Sequence, residues 1–244
     1  MSKQRKPFTF KQFTIHQNGA SLPVTTDACL FGALADFENP KHILDLGTGT
    51  GLLLHFMAQK YPKATLTGID INPESLECAR ENLQHNNFTN RTTLIHGDFL
   101  SPHKPYPVTQ FDAIISNPPF FENQLKSIDP IESKSKHFNT GEMQQFFDKI
   151  DQLLSPDGSA FVLLPPRVNI SAFTSLHPRR AVLIYARLNK SAHLQVIELI
   201  RHEEPLDFEN LFIRETNGQY TERFCQIMSP FYLDQALKVN QSPL

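Results

Sequence analysis

The sequence predicts an α/β protein with a doubly wound, seven-stranded, mainly parallel sheet and an antiparallel last strand. Three observations predict it. Short apolar runs alternate with helical stretches through residues 43–164, which sets parallel strands between two helical layers. A glycine-rich turn, Asp45-Leu46-Gly47-Thr48-Gly49-Thr50-Gly51, joins the first of these strands to a helix. Near the end, Asn189-Lys190-Ser191-Ala192 joins two apolar runs and is too short for a parallel crossover.

Taken in order, residues 1–6 are charged and nearly devoid of apolar content, which predicts disorder. Residues 8–15 are aromatic and partly alternating and read as a strand. Asn18-Gly19 is a hairpin turn signal, with 21–24 as the return strand. Thr26 or Asp27 is expected to cap a helix running to about Phe37. Strands follow at 43–46, 65–71, 92–96 and 111–116, with helices over 52–58 and 73–83 between the first three. A polar segment leads to a helix over 143–154, and Pro156-Asp157-Gly158 turns the chain into a strand at 160–164. Strands at 181–188 and 194–201 complete the seven, and 220–237 reads as a helix broken near Pro230. Residues 1–40 are expected to form a hairpin-and-helix extension on one main domain, 41–244.

Composition narrows the function. The chain has 244 residues, 40% hydrophobic and 20% charged, enough for one large core. No apolar run is long enough to span a bilayer, and the opening is polar and basic without a secretory core segment. Cys29, Cys78 and Cys225 are far apart and in no metal-ligand spacing. These features predict a cytoplasmic protein without a metal centre. A formal charge of −2 gives no bulk attraction to a polyanion. A nucleic-acid partner therefore needs local patches, such as Lys3, Arg5, Lys6 and Lys11, or Lys126, Lys134 and Lys136. Basic runs of this size are also common on plain solvated surface.

The glycine turn is the first candidate site. Gly47, Gly49 and Gly51 allow a tight turn and close approach of the backbone to a ligand. Asp70 ends the next strand, where doubly wound folds place a carboxylate on ribose hydroxyls, and Asp98 lies just past the third strand. A dinucleotide fingerprint seats a pyrophosphate on the helix N-terminus. Here the glycines alternate and Asp45 precedes them, and a carboxylate suits an ammonium or sulfonium group. The cofactor expected is S-adenosylmethionine.

The second candidate is Asn117-Pro118-Pro119-Phe120, directly after the fourth strand. Two prolines fix the backbone and remove two N–H donors, leaving carbonyl acceptors. The Asn117 side-chain oxygen and the Pro118 carbonyl are expected to accept from the two hydrogens of a planar amino group. Phe120 offers a face on which a base stacks, worth about 1–3 kcal/mol. Methyl transfer to such a nitrogen needs positioning and electrostatics, not a metal or a covalent enzyme intermediate.

With these motifs, the chain resembles the class I S-adenosylmethionine-dependent methyltransferases. The resemblance implies that Asp45 and the Gly47-Gly49-Gly51 loop hold the methionine end, Asp70 the ribose, and Asp98 with Phe99 the adenine. It implies catalytic roles for Asn117, Pro118 and Phe120. More closely, the chain is similar to the bacterial tRNA(Val) adenine N6-methyltransferases. The carrying residues are Phe8-Thr9-Phe10-Lys11-Gln12-Phe13, Val24-Thr25-Thr26-Asp27 with Gly32-Ala33, Ile213-Arg214, Tyr220-Thr221 and Phe231-Tyr232-Leu233. This second resemblance implies a tRNA partner, gripped in its anticodon region, and methylation of the adenine 3′ of the anticodon. Its expected substrate contacts are Lys11, Phe13, Lys136 and His137, the last two in a lid over 121–140. Lys136 and Gln195 stand where that family carries arginines. Ribosomal RNA guanine N2, protein glutamine and a non-catalytic RNA-binding role are the alternatives.

Overall fold

The computed structural model describes residues 6–17, 23–100, 106, 110–118 and 140–238. Two short strands, β1 (Phe8–Thr9) and β2 (Thr14–Ile15), precede helix α1 (Thr26–Leu34). Then come β3 (His42–Leu46), α2 (Leu52–Lys60), β4 (Thr65–Asp70), α3 (Pro73–His85), β5 (Thr92–His96) and β6 (Phe111–Ser116). The second half holds α4 (Thr140–Leu153), β7 (Leu154–Leu164), β8 (His177–Arg187), β9 (Ala192–Ile200), β10 (Asp207–Arg214), α5 (Glu222–Met228) and α6 (Asp234–Lys238).

Strands β3 to β10 form one sheet in the order β10-β8-β9-β7-β6-β3-β4-β5. Every pairing is parallel except those of β9, which runs antiparallel to both β7 and β8. The expected doubly wound sheet is present, with one strand more than the seven expected. The extra strand, β10, opens with exposed Asp207 and Phe208 and becomes buried only at Leu211 and Ile213. Its first half therefore holds a single apolar residue, the exposed Phe208, between polar ones, a weak strand signal at a sheet edge.

Alternation along each strand builds two cores. Ile43, Ala113, Ile115 and Phe161 pack with α1, α2 and α5, while Leu44, Leu46, Ile114 and Val162 pack with Phe146, Phe147 and Ile150 of α4. Each such side chain contributes about 1.5–3 kcal/mol on burial. The chain winds outward from β3 through β4 to β5, and then the other way through β6 and β7. The carboxyl ends of β3 and β6 therefore diverge, and a crevice opens between their turns.

The N-terminal hairpin differs from expectation. β1 pairs with β2 inside residues 8–15, so Phe10–Phe13 makes the turn, and Asn18-Gly19 lies outside the described residues. The outer edge of β2 meets a helix in place of a third strand. Asn86 accepts from Thr14 N at 2.9 Å and donates to Thr14 O at 2.9 Å; Asn82 accepts from His16 N at 2.8 Å and donates to His16 O at 3.0 Å. A carboxamide carries the same donor and acceptor as a peptide unit. Four residues of helix rise about 6 Å, and two residues of strand about 6.6 Å, so side chains at i and i+4 match alternate strand residues. Among the described residues, no helix is long and apolar enough to cross a membrane.

Candidate active site

A cleft of about 300 Å³ lies at the divergence of β3 and β6, lined among others by Thr25, Gly47, Gly49, Asp70, Ile71 and Asn117. It is at the small end of ligand pockets. Four of the expected site residues thus meet in one crevice. Ile71, 66% exposed, gives it an apolar wall beside Asp70.

The N–H groups of the glycine turn are taken up mainly by β4. Gly47 N and Thr48 N donate to Ile69 O at 2.9 and 3.0 Å, Gly49 N donates to Asp70 Oδ2 at 2.7 Å, and Gly51 N donates to Thr48 O at 2.9 Å. These N–H groups are therefore spent within the protein. What Gly49 offers a ligand is room: its φ is +56°, and an added Cβ would meet nothing within 4 Å. A pyrophosphate would want free N–H donors here, so this geometry favours a cationic ligand on chemical grounds.

Asp45 is fully buried, and its Oδ2 accepts from the Thr48 hydroxyl at 2.7 Å. Its Oδ1 has no hydrogen-bond partner among the described residues. The Asp45 carboxyl is raised to about 7, chiefly by burial, with the Thr48 hydroxyl opposing the rise and the Asp70 charge adding to it. Asp45 is outside the described lining of the cleft but is bonded to Thr48, which lines it, and an unsatisfied buried carboxylate oxygen there is a group that a nearby ammonium or sulfonium charge would offset. The residues present fit the methionine end of S-adenosylmethionine. Asp70 differs. It is half-buried, and its two oxygens accept from Gly49 N and from Asn72 N at 2.8 Å. Each oxygen keeps a second lone pair for a hydroxyl.

Across the cleft, Ser116 ends β6 opposite Leu46 and donates from its buried hydroxyl to Leu46 O at 2.7 Å. This bond ties the acceptor strand to the cofactor strand just before Asn117. Asn117 is partly buried and faces the cleft, and Pro118 beside it is buried. Phe120, Lys136 and His137 lie outside the described residues.

Other expected residues stand elsewhere. Asp98 is exposed and accepts from Leu100 N at 2.9 Å, while the Phe99 ring is buried in the α4 core, edge-on to Phe146 at 6.0 Å. Neither belongs to the described lining of the cleft. Phe13 is 3% exposed and stacks on Phe10 at 4.4 Å, so it packs in the core and presents no face to a substrate. Lys11 is held by Asp234 at 2.6 Å and by Ser229 O at 3.0 Å. Gln195 is buried and donates to Pro165 O at 2.9 Å and Val168 O at 3.1 Å, bracing the loop after β7.

The structure also adds residues that pattern alone does not mark. Asn82 Nδ2 donates to Thr50 O at 3.0 Å, and Asn86 Nδ2 reaches His55 Nε2 at 3.1 Å. The carboxamide orientation is set by Thr14, so the His55 Nε2 accepts and its Nδ1–H donates to Gly51 O at 2.7 Å. Burial holds the His55 imidazole below its ordinary pKa, hence neutral. The N-terminal strand, α3 and the glycine turn are thereby one hydrogen-bonded unit. The available signal was Asn82 and Asn86 at i, i+4 on an otherwise apolar helix face.

Comparison with known proteins agrees with this geometry. The methyltransferase small domain family matches residues 27–171. A Porphyromonas gingivalis protein named tRNA1(Val) (adenine(37)-N6)-methyltransferase is 32% identical over 242 residues, covering 92% of this chain and 94% of its own. A Vibrio cholerae protein of the same name is 34% identical over 235 residues, covering 93% of this chain and 95% of its own. Among solved structures, a predicted O-methyltransferase, protein Atu636 from Agrobacterium tumefaciens, aligns with a TM-score of 0.66 at 21% identity. It covers 84% of this chain and 96% of its own, a likeness of fold alone. With a family match over more than half its length and relatives a third identical over nine-tenths of it, the chain belongs to the methyltransferase small domain family, as an S-adenosylmethionine-dependent methyltransferase.

Proposed function

We propose that the protein transfers a methyl group from S-adenosylmethionine to the exocyclic N6 amine of an adenine in tRNA, the one 3′ of the anticodon of tRNA(Val). The observation that carries the substrate is the shared name of relatives that align along almost the entire chain. The observation that supports the chemistry is Asn117 lining one cleft with Asp70 and the glycine turn, with Pro118 next to it in the chain. The reading brings with it a cytoplasmic location, in keeping with three free cysteines. In it, residues 1–40 are an extension packed on the methyltransferase domain, 41–244.

When bound, S-adenosylmethionine supplies a methyl carbon made electrophilic by its sulfonium. Asp45 Oδ1 and the space over Gly49 receive the cationic end, and Asp70 orients the ribose. Asn117 Oδ1 and the Pro118 carbonyl each accept one hydrogen of the adenine amine. These two bonds draw the nitrogen lone pair out of conjugation with the ring and aim it at the methyl carbon. With the cofactor bound, its sulfonium would supply the methyl carbon and keep the electron pair of the sulfur–carbon bond, while Asn117 and Pro118 would hold the amine nitrogen that takes the methyl and gives up one proton to solvent. Holding the partners in line is the main catalytic contribution.

Labelled methyl transfer to total RNA, followed by nucleoside analysis, tests the reading. Label in N6-methyladenosine of tRNA is the expected result. Label in N2-methylguanosine, or in protein alone, overturns it.

A further inference from the structure

The cations of the C-terminal strands are treated differently at the two edges of the sheet. At the amino edge of β8, Arg179 pairs with Glu198, and Arg180 lies 3.4 Å from Glu209 and 3.7 Å from Asp207. Arg223 of α5 is 2.7 Å from the same Glu209, and Arg201, just past β9, is 2.5 Å from Asp151. Every one of these arginines has a carboxylate.

The carboxyl edge is the opposite case. Arg187 and Arg214 end β8 and β10 as direct register partners. Lys190 follows in the β8–β9 turn, its N–H donating to Arg187 O at 3.1 Å. None of these three enters an ion pair among the described residues, although Glu215 is next in sequence to Arg214. The Arg214 guanidinium lies over the Tyr220 ring, 4.1 Å from its centroid, and donates to Gly218 O at 2.7 Å. The Arg187 guanidinium comes to the same glycine, with Nη2 4.0 Å from where a Cβ would stand. Like charges paired across neighbouring strands repel and weaken a sheet. Two guanidinium groups converging without a carboxylate gain from an external anion, and guanidinium matches the oxygens of a phosphate.

Position supplies the second argument. β8 and β10 run parallel to β6 and β3, so Arg187 and Arg214 stand on the edge onto which the cleft opens. We propose that Arg187, Lys190 and Arg214 form a docking rail for phosphodiester groups of the RNA substrate. The rail stands on the same edge of the sheet as the cleft that receives its base, with β9 and β7 between β8 and β6. The proposal rests on the RNA-methyltransferase reading and gives a chain of net charge −2 a local group of cations outside any ion pair among the described residues.

The test uses full-length protein, purified tRNA and S-adenosylmethionine. Replacing Arg187 and Arg214 together by Gln is expected to raise the tRNA KM and the tRNA Kd by about tenfold, leaving kcat and cofactor Kd within twofold. The dependence of log affinity on log salt is expected to flatten by about 0.7–0.9 for each phosphate that is no longer neutralised. Arg223→Gln, at the opposite edge, is expected to stay within twofold of wild type in every reading. Lys190→Gln, on an exposed turn, gives a second reading that does not depend on how the double variant folds. If wild type methylates tRNA but neither variant shifts tRNA affinity or its salt slope, the rail is refuted. If wild type binds and methylates no RNA, it is the functional reading that fails.

Discussion

The two turns that face each other across the cleft are stiffened by different means. The turn after β3 is made of glycines, which lose the most conformational freedom on folding. It is held by groups from three other elements: Ile69 O and Asp70 of β4, His55 of α2, and Asn82 of α3. The turn after β6 begins Asn117-Pro118-Pro119, where proline rings fix φ without outside help. Just before it, the Ser116 hydroxyl donates to Leu46 O. The cofactor wall is therefore a distributed structure, sensitive to residues far from the ligand. On the proposed mechanism, the function of the acceptor wall is concentrated in Asn117.

The largest effect that sharpens this contrast is expected at the acceptor wall. Asn117→Ala should lower kcat by about 10²–10³, the cost of removing one charge-stabilising partner from a reacting group. Cofactor Kd, by calorimetry, should stay within about twofold; a Kd that moved as far as kcat would assign Asn117 to the other wall. At the cofactor wall, Asn82→Ala should destabilise the fold by about 2–3 kcal/mol in urea unfolding, because it strands buried groups of His16 and Thr50. It should also weaken cofactor binding, although Asn82 does not line the cleft. An unchanged Kd would break the idea of a distributed brace.

A smaller effect concerns pH. The Asp45 carboxyl, raised to about 7, must be ionised to hold a cation. Cofactor affinity should therefore rise about tenfold from pH 5.5 to pH 7, with a proton released on binding. The ligand-free fold should respond with the opposite sign. The protonated native form is favoured at low pH, so this contribution to stability is full below about 3.8 and declines as pH rises toward 7. Asp45→Asn should flatten both profiles. The smallest effect on stability is at Gly49, where Ala should cost about 1–2 kcal/mol for its left-handed backbone. Its methyl would project into open space, so cofactor affinity should fall more than stability does. Equal loss would mean that the glycine serves only the turn.

Much of this was legible in the sequence, and particular residues show where legibility stopped. Asp45, Gly49, Asp70 and Asn117 were readable because strand ends bring them to one edge, and apolar runs mark strand ends. Phe13 and Phe99 were misplaced for a shared reason. An aromatic residue beside a motif reads equally as a stacking face or as core, and both of these rings are buried. β10 escaped because an edge strand needs apolar residues on only part of its length.

The sequence by itself determined the order of strands and turns, and with it the reaction: glycines and prolines fix the backbone locally, and their chemistry travels with them. The tertiary structure alone decided which polar groups are spent and which are left over. It used the N–H groups of the glycine turn internally and left one oxygen of Asp45 without a partner. It gave Asn82 and Asn86 a strand to imitate, and placed Arg187 beside Arg214 without a carboxylate. Those outcomes depend on which distant segments come within hydrogen-bond reach, and such proximity is set by packing rather than by residue type.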